Sequence, residues 1–221
     1  MEKYYHSAIK LTLNVRSTTP NLLCPIEMGL PDLSTIILEQ RSKFMTSFHR
    51  HSSHDEPLWL ALHLCVNTTG ARLLSNARLQ TGLLRADAMR ELMTSCRQNA
   101  ATSSRYQTYL NLNPELETHP VYLRYMPDVE ERLRYSFTRL RLSSHELRVE
   151  TGRWSRTPRC QRLCSCDLNV TQDEAHVFFV CPLTSHIRVQ YSAFFNSHDN
   201  LHDVMCDEKI FKITFEILST Y

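Results

Sequence analysis

Apolar residues along this chain recur mostly three and four positions apart, the spacing that lines one face of an α-helix. Pro31 and Asp32 open a segment to about His49 in which Leu33, Ile36, Ile37 and Phe44 keep that spacing. From Pro57 to about Val66 the run through Trp59, Leu60, Leu62, Leu64 and Cys65 is almost continuously apolar, which predicts a buried helix. Gly70 and Gly82 punctuate two further segments, and the second continues through Met89, Leu92, Met93 and Cys96 towards Tyr106 and Leu110. Between Asn111 and Asp128, Pro114, Pro120 and Pro127 forbid one continuous helix, because proline has no N–H to donate and clashes with the preceding turn. This stretch is the predicted boundary between a helical region, 1–125, and a second part, 126–221. A helix restarts near Asp128, with Leu133, Phe137, Leu140 and Leu147 as its apolar stripe.

The most informative chemistry lies in that second part, in the stretch RLCSCDLNVTQDEAHVFFVC from Arg162 to Cys181. It places Cys164, Cys166, His176 and Cys181 in the order C-x-C-x9-H-x4-C. Thiolate sulfur and neutral imidazole suit Zn²⁺, and a site closed by four protein ligands organises folding instead of performing chemistry. Thr171 followed by Glu174 is a capping-box pattern, so a helix is predicted to start at Thr171, carry His176 and stop at Pro182. Two cysteines one residue apart share a face when the backbone is extended. Cys160 and His186 lie close enough to replace a neighbouring ligand. Four of the eight cysteines fall between Cys160 and Cys181, whereas Cys24, Cys65, Cys96 and Cys206 are scattered singly and read as core or surface thiols. Ordinary buried cysteines and a disulfide framework are the alternatives. His49, His51 and His54, followed by Asp55 and Glu56, read as a solvated helix end before a second metal site.

Composition supports a mainly α fold: an irregular helical N-terminal region followed by a small zinc-stabilised helical module. Only four glycines occur in 221 residues, and the good helix formers Leu, Arg, Glu, Gln, Met and Ala are common. No run of eighteen apolar residues is present, which argues against a membrane-spanning helix. The chain opens without a charged n-region, apolar h-region and cleavage site, so an intracellular protein, nuclear or cytoplasmic, is expected.

Net charge is only +2, but it is unevenly spread. Nine arginines and two glutamates occupy the segment from Arg132 to Arg162, a local balance of +7 that leaves the remaining chain at −5. The planar guanidinium fork favours phosphate contacts and base stacking, and Tyr135, Phe137 and Trp154 are interleaved as stacking surfaces. Against this stands the reading of a solvated helix face flanking a core stripe. Catalytic signatures are absent: no glycine-rich phosphate loop, no G-x-S-x-G and no H-E-x-x-H occurs. Asp173 and Glu174, as first-turn carboxylates, are stabilised by the helix dipole without any catalytic role.

From Arg139 to Arg188 the sequence resembles the zinc-binding tail that follows the polymerase region in reverse transcriptases of non-LTR retrotransposons. The matching features are Arg139 to Leu142, Gly152 to Trp154, R-x-C-x-C at Arg162 to Cys166, E-x-H at Glu174 to His176, C-P at Cys181 and Pro182, and the basic Arg188. The segment from about Pro31 to Leu110 is similar to the region separating polymerase and tail in such elements. The family's Y-x-D-D polymerase motif does not occur, nor does a P-D after the cysteines. The resemblance therefore implies a remnant without polymerase or nuclease activity. It implies zinc ligation by Cys164, Cys166, His176 and Cys181, and a sequence-independent RNA or DNA surface at Arg153, Trp154, Arg156, Arg159, Arg162 and Arg188. The competing expectations are a helical protein-interaction module with a purely structural zinc site, and an element remnant without a function of its own.

Overall fold

The computed structural model describes residues 1–51, 81–123 and 129–221. They form α1 (Glu2–Thr12), α2 (Leu23–Met28), α3 (Leu33–His51), α4 (Thr81–Ala100), α5 (Ser104–Leu112), α6 (Pro120–Leu123), α7 (Glu131–Arg141), α8 (Arg148–Trp154), α9 (Ser185–Gln190), α10 (Ser192–Phe195), α11 (Leu201–Cys206) and α12 (Ile210–Leu218). Single 3-10 turns occur at Arg159–Gln161 and Pro182–Thr184, and a π-helical turn at His176–Val180. The protein is mainly helical, and among the described residues the sole β pairing is an antiparallel bridge between Leu163 and Thr171. No helix among these residues is long and apolar enough to cross a membrane. The predicted helix from Pro57 to Val66 lies outside the described residues, as do Gly70, His54 and the side chains of His49 and His51.

Helix α3 begins where the sequence places it. The Asp32 carboxylate accepts the Thr35 amide at 3.0 Å and the Thr35 hydroxyl at 2.7 Å, which satisfies donors left open in the first helical turn. The run expected to continue through Cys96 to Leu110 is instead two helices, α4 and α5. Asn99 bonds the Ser95 carbonyl and Thr102 the Asn99 carbonyl, and these short polar side chains compete with the backbone ladder. Ser103 is then extended, at φ −131° and ψ 116°. At the end of α2, Gly29 takes φ +63°, and a Cβ there would sit 2.5 Å from the Thr118 hydroxyl oxygen. Only glycine fits that left-handed position without strain.

Two buried clusters organise the chain. Ile9, Leu13, Leu23, Ile26, Cys96, Tyr109 and Leu116 from the first half enclose one, with Leu142 added from beyond α7. The other gathers Phe137, Leu140, Leu147, Phe178, Ile187, Phe194 and the buried face of α12, with Leu112 and Val121 from the first half. α12 lies along α7, where the Phe137 and Phe211 rings meet at 4.7 Å between centroids. Side chains on both sides of residues 124–128 therefore share each cluster. Of the apolar stripe read from the sequence, Leu133, Phe137 and Leu140 lie on α7 and face inward; Leu147 is buried as well, but α7 ends at Arg141 and Leu147 caps α8 instead of continuing the stripe.

Candidate metal centre

The cysteine end of the site is a tight hairpin-like loop. Leu163 and Thr171 pair, the Cys164 amide donates to the Val170 carbonyl at 2.8 Å, and the Gln172 amide donates to the Arg162 carbonyl at 2.9 Å. Asn169, at φ +51°, supplies the left-handed residue that turns the chain back. Asparagine tolerates this conformation better than most side chains. The loop leaves backbone amides aimed at sulfur: those of Cys166 and Leu168 bond the Cys164 and Cys166 sulfurs.

The histidine end corrects the predicted helix start. Thr171 belongs to the bridge, and the capping box with Glu174 does not form. The cap is Asp173, whose Oδ1 accepts the His176 amide at 3.0 Å. Thr171 is unavailable because strand-like pairing with Leu163 fixes its backbone outside the helix. From His176 the chain makes a π turn in which the Cys181 amide donates to the His176 carbonyl at 2.8 Å. In an α-helix, five steps of about 100° leave the second residue roughly 140° round the axis from the first. The wider turn brings Cys181 back over His176, which is what an H-x4-C pair needs to serve one ion. Pro182 then ends the turn, as the sequence requires.

The ligand atoms of Cys164, Cys166, His176 and Cys181 all lie within 4.8 Å of one another, and all four residues are buried. The Cys164 and Cys181 sulfurs are 3.6 Å apart, and the Cys166 sulfur is 3.4 Å from His176 Nε2. The four residues could hold a metal ion. Cys160 and His186 are exposed and stand outside the group. No disulfide joins the described cysteines. Burial and the nearby Arg188 charge push the His176 pKa down, against the pull of Asp173, which keeps the imidazole neutral and able to donate a lone pair. Burial opposes ionisation of Cys164, but hydrogen bonds from the Cys166 amide and the neighbouring thiols outweigh it and lower its pKa.

Groups around the ligands hold them in place, and sequence reasoning missed most of these. His145 Nδ1 accepts the Leu147 amide, so Nε2 carries the hydrogen and donates to Glu174 at 2.9 Å. Burial raises the Glu174 pKa, yet the hydrogen bond from His145 outweighs it and the pKa is lowered. Both side chains are buried, and together they pin the start of the turn that carries His176. Gln172 reaches the Cys164 sulfur at 3.6 Å. Tyr221 donates its hydroxyl to the Cys181 sulfur at 2.9 Å and packs on the three cysteines. Burial first, and then the sulfur contact, raise its pKa, so the phenol stays a donor. Glu174 was visible as the E of an E-x-H pattern, but nothing local marked His145 or Tyr221.

The arginines are put to several uses. Arg162 bonds the Val149 carbonyl at 2.6 Å and the Thr157 carbonyl at 2.8 Å, and its stem covers Gly152. Arg188 bonds the Cys181 carbonyl at 2.6 Å and the Thr184 hydroxyl at 2.8 Å. Arg153 pairs with the buried Glu150 at 2.8 Å, and Arg159 with Asp173 at 2.9 Å. Trp154 is half exposed, with the Arg16 guanidinium 4.2 Å over its ring. Arg148 and Arg156 are exposed, and among the described residues neither guanidinium has a carboxylate partner. No family model, no curated protein and no solved structure matches this chain.

Proposed function

We propose that this chain is a non-catalytic protein, derived from a non-LTR retrotransposon, whose second half is a helical module closed by one structural Zn²⁺. The observation that carries the metal is the spacing of the ligand atoms. Bonds of about 2.3 Å to sulfur and about 2.0 Å to nitrogen give tetrahedral edges of about 3.8 Å for S···S and about 3.5 Å for S···N. The Cys164–Cys181 and Cys166–His176 spacings of 3.6 Å and 3.4 Å fit those edges, and the remaining pairs stay within 4.8 Å. Three thiolates and one imidazole, with no open position, suit a structural zinc ion better than a hard oxygen-seeking cation. Cys164 and Cys166 on the hairpin, with His176 and Cys181 on the π turn, would hold it, and the ion would tie the arginine-rich segment to the helices that follow.

The module lays a small basic surface against RNA or DNA backbone without reading bases. Exposed Arg148 and Arg156, with Trp154 between them in sequence, support this reading, because a guanidinium with no carboxylate partner is free to neutralise a phosphate. Arg159 contributes once released from Asp173. Arg153, Arg162 and Arg188 hold the module together, so of the six residues expected to bind nucleic acid these three act through shape. The resemblance to the retrotransposon tail supports the same reading.

A protein-interaction module with a purely structural zinc ion is the second reading. It is favoured by how many guanidinium groups are spent on carboxylates and carbonyls inside the fold. One experiment addresses both. Elemental analysis of the purified chain is expected to find about one zinc per molecule, lost together with helical signal in the His176→Ala, Cys181→Ser double variant. Titration of the zinc-loaded chain with a labelled single-stranded oligonucleotide at low salt is then expected to show binding that weakens steeply as salt rises. A folded chain without zinc overturns the metal reading, and a zinc-loaded chain that ignores the oligonucleotide favours the protein partner.

A further inference from the structure

We propose that Tyr221 controls how tightly the centre keeps its metal, so that docking of α12 and ion retention are one event. The inference rests on the zinc reading above. A divalent ion with three thiolates and a neutral imidazole leaves the centre one negative charge in excess, concentrated on sulfur. Such sulfur is open to protonation and to exchange, and a donor placed on it lowers its charge density. The Tyr221 hydroxyl occupies that position on Cys181 at 2.9 Å, and its side chain packs against the cluster of Cys164, Cys166 and Cys181. The other donors near these ligands serve other atoms: the Cys166 and Leu168 amides bond the Cys164 and Cys166 sulfurs, Gln172 reaches Cys164 at 3.6 Å, and Arg188 bonds the Cys181 carbonyl, not its sulfur.

What puts the hydroxyl there is core packing far from the ligands in sequence. α12 buries Ile210, Phe211, Ile213, Thr214 and Ile217 against α7 and its neighbours. The helical hydrogen bonding continues past its end, with the Ser219 amide on the Phe215 carbonyl and the Thr220 amide on the Ile217 carbonyl. Tyr221 is therefore carried to the sulfurs by a helix whose place is fixed by apolar burial. When α12 is seated, the sulfur is covered and hydrogen-bonded. When it lifts, both protections go together.

The test compares the full chain with Tyr221→Phe, which keeps the ring against the cysteines and removes only the donor. Hydrogen bonds around metal ligands are typically worth 10–100-fold in metal affinity. Transfer of Zn²⁺ from the Phe variant to a chromogenic chelator is therefore expected to be about 10-fold faster than from the unaltered chain. With Co²⁺ in place of zinc, the thiolate-to-metal charge-transfer band is expected to move to lower energy, because the sulfur becomes more electron-rich. Unchanged thermal unfolding of the loaded variant would show that the fold is intact, and the band shift reports on sulfur whether or not stability moves. Equal transfer rates with an unshifted band overturn the role of Tyr221 while leaving the metal reading standing. An unaltered chain that takes up neither Zn²⁺ nor Co²⁺ overturns both.

Discussion

The Arg141 guanidinium meets the Glu27 carboxylate at 2.5 and 3.0 Å, and both side chains are withdrawn from solvent. Arg141 belongs to the arginine-rich segment, and Glu27 lies on α2 near the other end of the chain. The pair is completed by Tyr109, whose hydroxyl donates to the same carboxylate at 2.7 Å. One of the nine clustered arginines is thus a buried fastening between the two clusters and has no face to offer a partner. Its charged form is favoured by Glu27, although burial alone would push its pKa down.

Breaking this pair from one side should be severe. Glu27→Gln or Arg141→Met leaves a buried charge without its counter-ion, which costs about 3–5 kcal/mol. Replacing both residues by methionine removes the stranded charge and should cost less than either single change. Urea unfolding of the three variants at constant zinc checks this. Single variants within about 1 kcal/mol of the unaltered chain would be incompatible with a buried pair that matters.

Gly152 makes the opposite prediction from the usual rule for glycine in a helix. Elsewhere, Gly→Ala in a helix stabilises by up to about 1 kcal/mol. Here an added Cβ would stand 2.7 Å from both Cγ and Cδ of Arg162, in the middle of a side chain anchored at its tip to two carbonyls. Overpacking of this kind costs about 1–3 kcal/mol, so Gly152→Ala should destabilise. Because Arg162 heads the hairpin that carries Cys164, metal affinity should fall with it. A thermal melt and a zinc competition titration read the two effects, and a stabilised Ala variant would contradict the packing.

The start of α3 should be acid-sensitive. Burial raises the Asp32 pKa, but hydrogen bonds from Ser34 and Thr35 outweigh it and hold the carboxyl below its usual value. A depressed folded-state pKa means that the cap's contribution is present in full above the unfolded value of about 3.9 and is lost as pH falls through the lower folded value. Asp32→Ala should cost about 1 kcal/mol at neutral pH and flatten that part of the acid unfolding curve. The comparison is unfolding of both proteins between neutral pH and strong acid. An Ala variant that keeps the full acid dependence would assign it to other carboxylates.

Arg148 and Arg156 separate a charge effect from a folding effect. Replacing both by alanine should leave thermal stability near that of the unaltered chain. The slope of log affinity against log salt for an oligonucleotide should fall by about one unit for each phosphate that is no longer neutralised. Arg162→Ala should weaken binding by loosening the hairpin, with zinc affinity falling in parallel. If the double variant kept the full slope, these two arginines would not touch phosphate.

The amino-acid sequence by itself determined the features whose causes are local. Cys164, Cys166, His176 and Cys181 stand within eighteen residues, so their order and chemistry picked them out from the scattered thiols, while the structure decided between them and the neighbouring Cys160 and His186 by gathering those four. Asp32 caps the residue three positions on, and the stripe of Leu133, Phe137 and Leu140 follows from helical periodicity. Tertiary structure decided what depends on distant partners. Thr171 has the pattern of a helix cap, but its backbone is claimed by Leu163, and the π turn that aligns His176 with Cys181 leaves no signature in spacing. A run of arginines gives a charge count, not the destination of each guanidinium: Arg141 finds Glu27 across 114 positions, and Arg162 turns to carbonyls. Tyr221 reaches Cys181 across 40 positions only because burial of α12 carries it there. Local patterns fix which groups can bond, and packing of the whole chain fixes which partners they meet.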